Sequence, residues 1–209
     1  NEEKQNKFFT SCEEKTINRN LNLKRFLDFM IQVHNKTLQK TISVDRIIKK
    51  IEGKQSGPVV VFFGGIHGNE TAGVFALYSV LNKLNPEDVN GTIYGITGNI
   101  KALKKNQSFL EKDLNRIWTA ENLESLNGKE KLNPEQEEQV EIYSIIKDIL
   151  NSHNGPFYFI DLHTTSSRTL PFITINDSII NRKFSQLFPV PIVLGIEEYL
   201  NGPLLSYIN

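Results

Sequence analysis

The sequence has a single cysteine, Cys12, so no disulfide can close within the chain. A reducing, cytoplasmic setting is expected on that ground. It has no apolar run near the roughly 20 residues that a bilayer-spanning helix needs. Its polar start, Asn1-Glu2-Glu3-Lys4, lacks the apolar stretch of a signal peptide. It does not begin with methionine, and removal of an upstream segment is expected. It has no excess of charge of either sign: 24 basic side chains balance 24 acidic ones. That balance gives no electrostatic reason to expect nucleic acid or an anionic membrane as partner. Short basic runs such as Lys101–Lys105 read as solvated faces. Internal repeats, low-complexity stretches and linkers are also missing.

What remains is ordinary globular composition, 39% hydrophobic and 23% charged over 209 residues, enough for one substantial core. Apolar residues at three- and four-residue steps between Leu21 and Leu38 predict an amphipathic helix. It belongs to an N-terminal extension over residues 1–40, ahead of a catalytic domain over 41–209. Val44–Ile51 reads as a strand that ends in a turn at Gly53. Pro58–Phe63 is a short, continuous, β-branched and aromatic run of the kind buried on both faces of a sheet. A helix is predicted over 71–84, a strand over 91–98, and a long loop region with short helical pieces over 99–133. Asn133-Pro134-Glu135 opens a helix with a capping Asn, a Pro in its first turn and acids at its positive dipole end. Phe157–Leu162 is a second buried-type strand. Strands at 170–175 and 190–195 and a helix at 178–187 complete an α/β pattern. The predicted architecture is a mostly parallel or mixed sheet with helices on both faces.

Two groups of residues stand just beyond strand ends, where an α/β sheet places its site. One is His67-Gly68-Asn69-Glu70, after the 58–63 strand and within a cluster of glycines that allow sharp turns. The other is Asp161-Leu162-His163. Either alone more often serves structure than metal. Together, two His and one Glu make the three-ligand set of a catalytic zinc site, with a fourth position for water. His67, Glu70 and His163 are therefore the candidate ligands of one zinc ion per chain. His34, in the predicted N-terminal helix, and His153, in a helix-end loop, read as structural.

Three motifs in order, Gly64-Gly65-Ile66-His67-Gly68-Asn69-Glu70, Asp113-Leu114-Asn115-Arg116 and Asp161-Leu162-His163-Thr164-Thr165, resemble the succinylglutamate desuccinylase/aspartoacylase family, a relative of the zinc carboxypeptidases. The resemblance runs from about Val44 to the end and leaves residues 1–40 uncovered. It implies a zinc-carboxypeptidase-like fold and hydrolysis of the amide bond of a small N-acyl amino acid. It implies Asn115 and Arg116 as binders of a small-molecule carboxylate substrate, a task that suits a planar guanidinium. It implies Asp113 as hydrogen-bond support for His67, with Asp161 a weaker candidate for similar work.

The sequence departs from the family pattern twice. Ser108 stands where the family has an Arg that polarises the scissile carbonyl; Lys104, Lys105 or Arg168 are candidates to compensate. The general-base Glu is expected about sixty residues after His163, beyond Asn209, so Glu197 and Glu198 come too early and a C-terminally truncated chain is expected. Alternative readings are a carboxypeptidase-like peptide hydrolase and a catalytically weak domain that binds metal and carboxylate.

Overall fold

The computed structural model describes residues 30–196 and 199–208. Four strands form the main sheet: β3 (Ile47–Glu52), β4 (Gln55–Gly64), β5 (Asn90–Thr97) and β6 (Phe157–Leu162). Their order is β3-β5-β4-β6. β3 runs antiparallel to β5, and the β5–β4 and β4–β6 pairs are parallel, so the sheet is mixed. Helix α1 (Thr71–Leu81) crosses from β4 toward β5, and α4 (Pro134–Ser152) leads into β6.

The side-chain alternation of β4 explains how helices cover both faces. Val59, Val61 and Phe63 are buried in one cluster with Ile142, Ile146 and Ile149 of α4. Phe62, on the opposite face, packs with Leu77 and Leu81 of α1. α4 starts as its sequence requires: the Asn133 side chain accepts the Gln136 N–H while Gln136 returns a bond to the cap backbone, and Pro134 follows in the first turn.

The region 99–133 consists of short pieces: α2 (Ile100–Lys105), a single 3-10 turn over Leu114–Arg116 and α3 (Ala120–Glu124). Side chains on α4 hold these pieces. Glu135, fully buried, accepts the backbone N–H groups of Leu110, Glu111 and Lys112 and the amide of Asn99. Burial works against its charge, but those four bonds keep its carboxyl below the usual range. Glu138 accepts the N–H groups of Ile100 and Lys101 at the open start of α2, and it pairs with the buried guanidinium of Arg46. The sequence assigns Glu135 to the helix dipole; its side chain points inward and anchors a loop, as does that of Glu138 one turn on.

The predicted helix over 21–38 is corrected where it can be followed. Residues 1–29 lie outside the described residues, and Ile31–Asn35 is a strand, β1, paired antiparallel with β2 (Lys40–Val44). The physical reason is a two-residue period: Ile31, Val33 and Asn35 are buried while Gln32 and His34 face out. Met30 and Leu38, which suggested a helical period, are exposed. His34 is therefore a strand residue, with Nδ1 3.1 Å from Thr41 Oγ1. The single strand expected over 44–51 is two, broken at Asp45-Arg46. The hairpin packs Ile31, Val33 and Val44 against Val74 and Phe75 of α1 and Leu103 of α2.

Beyond β6, strands β7 (Ile173–Ile175) and β8 (Ile192–Leu194) form a separate parallel pair around α5 (Ile179–Ser185). The chain then returns to the main core through α6 (Leu204–Ile208), where Leu204 is fully buried beside Trp118 and Tyr143.

The Arg46–Glu138 pair makes a stability prediction. Arg46 also donates to the Thr97 carbonyl at 2.7 Å and meets Glu141 at 3.1 Å. Removing Glu138 leaves a buried guanidinium short of its main counter-charge and frees the start of α2. Glu138→Ala is expected to lower unfolding free energy by about 3 kcal/mol or more. Glu141→Ala, which removes a partly exposed carboxylate, is expected to cost under about 1 kcal/mol. Urea denaturation of both variants checks the difference, and equal losses would contradict it.

Candidate metal centre

The parallel register between β4 and β6 sets Gly64 opposite Leu162. The chain leaves both strands at the same end of the sheet, so the two histidine loops meet there. Gly65 takes a φ of +76°, which an L side chain rarely adopts. Gly68 lies so close to α2 that an added Cβ would sit 2.2 Å from the Ala102 carbonyl carbon. Its N–H donates to the Ser108 carbonyl at 3.1 Å, which ties the loop to the segment after α2. Glu70 ends the loop as the residue before α1.

Glu70 stands between the two imidazoles. Its Oε1 is 3.0 Å from Nδ1 of His67, and its Oε2 is 3.1 Å from Nδ1 of His163. The Thr164 N–H donates to Oε2 at 2.7 Å. Each ring has its other nitrogen against a second carboxylate: His67 Nε2 is 3.0 Å from Asp113 Oδ1, and His163 Nε2 is 2.6 Å from Asp161 Oδ2. The ring centroids are 5.1 Å apart.

This arrangement fits a metal ion. One donor atom from each of His67, Glu70 and His163 lies within 4.8 Å of the others, so the group could hold an ion. Zinc at its usual ~2.0–2.1 Å from each donor would space them about 3.3 Å apart, close to the nitrogen–oxygen distances above. Both Nδ1 atoms face the shared carboxylate, and both Nε2 atoms can donate outward to an aspartate.

The charges respond to that crowding. Hydrogen bonds to Asp113 and Glu70 raise the His67 pKa to about 9, against the opposing effect of burial. Burial also works against charge on His163, but Asp161 and Glu70 outweigh it and raise the pKa to about 10. Burial would raise Glu70, yet the two imidazoles and the Thr164 N–H lower it to about 2. Asp113 is lowered likewise, its burial outweighed by His67 and the Asn115 N–H.

Asn115 is buried, and its side chain is occupied: Oδ1 accepts the Leu204 N–H at 2.9 Å, and Nδ2 lies 3.2 Å from His163 Nε2. Arg116 is exposed and folds back so that its guanidinium donates to the Asn115 carbonyl at 2.7 Å. Ser108 is half-buried beside the His67 loop. Arg168 lies on an exposed stretch after His163. His153 ends α4, with Nε2 3.0 Å from the Tyr94 hydroxyl, away from the cluster. Glu197 and Glu198 lie outside the described residues. Sequence reasoning passed over Thr164, whose contribution is a backbone N–H and has no side-chain signal, and Glu135, whose loop partners are distant in sequence.

The model of the succinylglutamate desuccinylase/aspartoacylase catalytic domain matches residues 56–197. A "probable aspartoacylase" of Acaryochloris marina is 31% identical over 129 residues, covering 58% of this chain and 40% of that protein. A succinylglutamate desuccinylase of Photorhabdus laumondii is 31% identical over 121 residues, covering 57% of this chain and 36% of that protein. The chain thus spans about two fifths of the length of these curated relatives. In structure it resembles the succinylglutamate desuccinylase of Chromobacterium violaceum, with a TM-score of 0.58 at 18% identity over 76% of this chain and 50% of that one. The Vibrio cholerae enzyme of the same description gives 0.56 at 16% identity, over 85% and 54%. At these identities the likeness shows a common fold. With two thirds of its residues inside the family model, the chain belongs to the succinylglutamate desuccinylase/aspartoacylase family.

Proposed function

We propose that this chain forms the zinc-binding part of a hydrolase that cleaves the amide bond of a small N-acyl amino acid. The observation that carries the reading is the convergence of His67, Glu70 and His163 at adjoining strand ends, with an aspartate behind each ring. Nδ1 of each histidine and the Glu70 carboxylate would hold one zinc ion. Bound there, zinc supplies a Lewis acid for the amide carbonyl and makes hydroxide available near neutral pH.

The chain's own residues do the positioning. Asp113 accepts from His67 Nε2 and Asp161 from His163 Nε2, fixing both tautomers so that each Nδ1 presents a lone pair toward Glu70. Arg116, one residue beyond the Asp113–Asn115 turn and exposed, is the group suited to a substrate carboxylate; it would release the Asn115 backbone carbonyl to take up a bidentate pair. The Asn115 amide contributes by holding that turn against Leu204. The balanced charge gives no electrostatic reason to propose a nucleic-acid role. No helix among the described residues is long and apolar enough to cross a membrane.

Ser108 favours a slow version of this chemistry. Its backbone carbonyl accepts the Gly68 N–H, which ties the residue to the His67 loop, yet a hydroxyl brings no charge to a developing oxyanion. A well-aimed donor there contributes on the order of 10²–10³ in rate. Ser108→Arg is therefore expected to raise kcat on simple N-acyl amino acids with little change in KM, measured by steady-state kinetics on the whole protein. A fast parent enzyme with no gain in the variant would show that another cation already serves.

The proton balance makes a second prediction. Both imidazole pKa values lie above the ordinary value of 6.5, so their contribution to the stability of the metal-free fold is full below pH 6.5. It is lost as pH rises through about 9 and 10. Glu70 acts oppositely: its contribution holds above about 4.5 and falls away toward 2. Zinc must displace the imidazole protons, so its affinity climbs over the same range in which the metal-free fold weakens. Thermal melts between pH 6.5 and 10 are expected to show falling Tm without metal and a widening gap on adding one equivalent of zinc. A gap that does not change with pH would remove His67 and His163 as ligands.

A further inference from the structure

We propose that Glu135 is a positioning residue of the metal centre: one buried carboxylate on α4 holds both the loop that carries His67 and the aspartate that orients its ring, and so sets how well His67 binds metal. The inference rests on the reading of His67, Glu70 and His163 as zinc ligands. Glu135 is not one of the three and acts through other residues.

The first route runs through residues 110–112. The chain between α2 and Asp113 forms no helix or strand, so its N–H groups have no ladder to enter. Three consecutive ones point at Glu135: Oε1 accepts that of Leu110 at 2.8 Å, and Oε2 accepts those of Glu111 and Lys112 at 3.1 and 3.3 Å. Asp113 is the next residue. Its Oδ1 accepts the Asn115 N–H at 2.8 Å and stands 3.0 Å from His67 Nε2. Asp113 is thus fixed on one side by its own turn and on the other by Glu135.

The second route runs through Asn99, which is fully buried. Its Nδ2 donates to Glu135 Oε1 at 3.2 Å, and its Oδ1 accepts the Ala102 N–H at 3.0 Å and caps α2. Its backbone N–H donates to the Gly65 carbonyl at 2.8 Å. Gly65 opens the His67 loop, and Gly68 packs against the Ala102 backbone. Both sides of the loop therefore rest on the side chain that Glu135 holds. The two routes meet at the His67 ring. The corresponding support of His163 is Asp161, which lies within β6.

A carboxylate is the group this geometry needs. Four N–H donors converge on two oxygens, and an ionised carboxylate can accept all of them. An amide of the same shape has one oxygen and would turn its own N–H groups toward donors.

The test is zinc affinity, measured on folded protein by competition with a chromophoric chelator, with hydrogen exchange of the metal-free protein followed in parallel. Glu135→Gln is expected to weaken zinc binding about tenfold, the lower end of what an outer partner of a ligand contributes, and to speed exchange at residues 110–112. Ile146→Ala truncates the core face of the same helix. It is expected to lower stability and leave the zinc affinity of the folded protein unchanged. With Asp113→Asn already present, Glu135→Gln is expected to cost less than about threefold more, because both act on His67; with Asp161→Asn present it is expected to keep its full effect. Asn99→Ser keeps a cap for α2 and releases only the bond to Glu135. It is expected to weaken zinc binding about threefold, and it serves as the test if Glu135→Gln does not fold. Unchanged zinc affinity in whichever of the two folds, an equal loss in Ile146→Ala, or an effect of Glu135→Gln as large beside Asp113→Asn as beside Asp161→Asn would overturn the inference. A parent protein that binds zinc, with these results, fails this inference alone. A parent protein that takes up no zinc fails both it and the reading on which it rests.

Discussion

The carboxylate of Glu70 joins two parts of the chain that are 93 residues apart in sequence. Three side chains with opposed charge preferences share one small volume, and each is stable there only because of the others. Burial alone would discharge the two imidazoles and protonate the carboxylate. The outer aspartates extend the same balance, so the five ionisable groups behave as one unit. The sheet exists, for functional purposes, to hold this unit: its parallel β4–β6 register brings the two loops out side by side. The fixed start of α1 then aims Glu70 between them.

A second set of buried carboxylates makes the loops rigid. Glu135 and Glu138 use the first turns of α4 to gather backbone N–H groups from α2 and from residues 110–112. Those segments lead directly to Asp113 and Asn115. Disturbing α4 would therefore reach the histidines through the loops without touching them. The return of the chain at Leu204 closes the same frame from the other side, since its N–H occupies the Asn115 amide oxygen.

Much of this was legible in the sequence, for identifiable reasons. The strands at Val59–Phe63 and Phe157–Leu162 announce themselves as continuous apolar runs, and the Asn133 cap with Pro134 marks the start of α4. The His67–Glu70 and His163 groups stood out because each follows such a strand. The N-terminal hairpin was misread because exposed Met30 and Leu38 imitate a helical period, while the true two-residue alternation covers only five residues. The inward turn of Glu135 was hidden because an acid in a first helical turn looks the same in sequence whether it faces solvent or a loop's N–H groups. Asn115 was assigned to substrate with its neighbour Arg116; that its amide is buried, with Oδ1 accepting the Leu204 N–H, is a contact the sequence does not show. In each case the missing information was a long-range contact.

The claim on which the rest depends is that His67, Glu70 and His163 together hold a zinc ion. X-ray absorption at the zinc edge of protein loaded with one equivalent tests it directly. The account predicts two imidazole nitrogens and at least one oxygen at about 2.0–2.1 Å, with no sulfur. A spectrum with one imidazole, with none, or with only oxygen neighbours would contradict it.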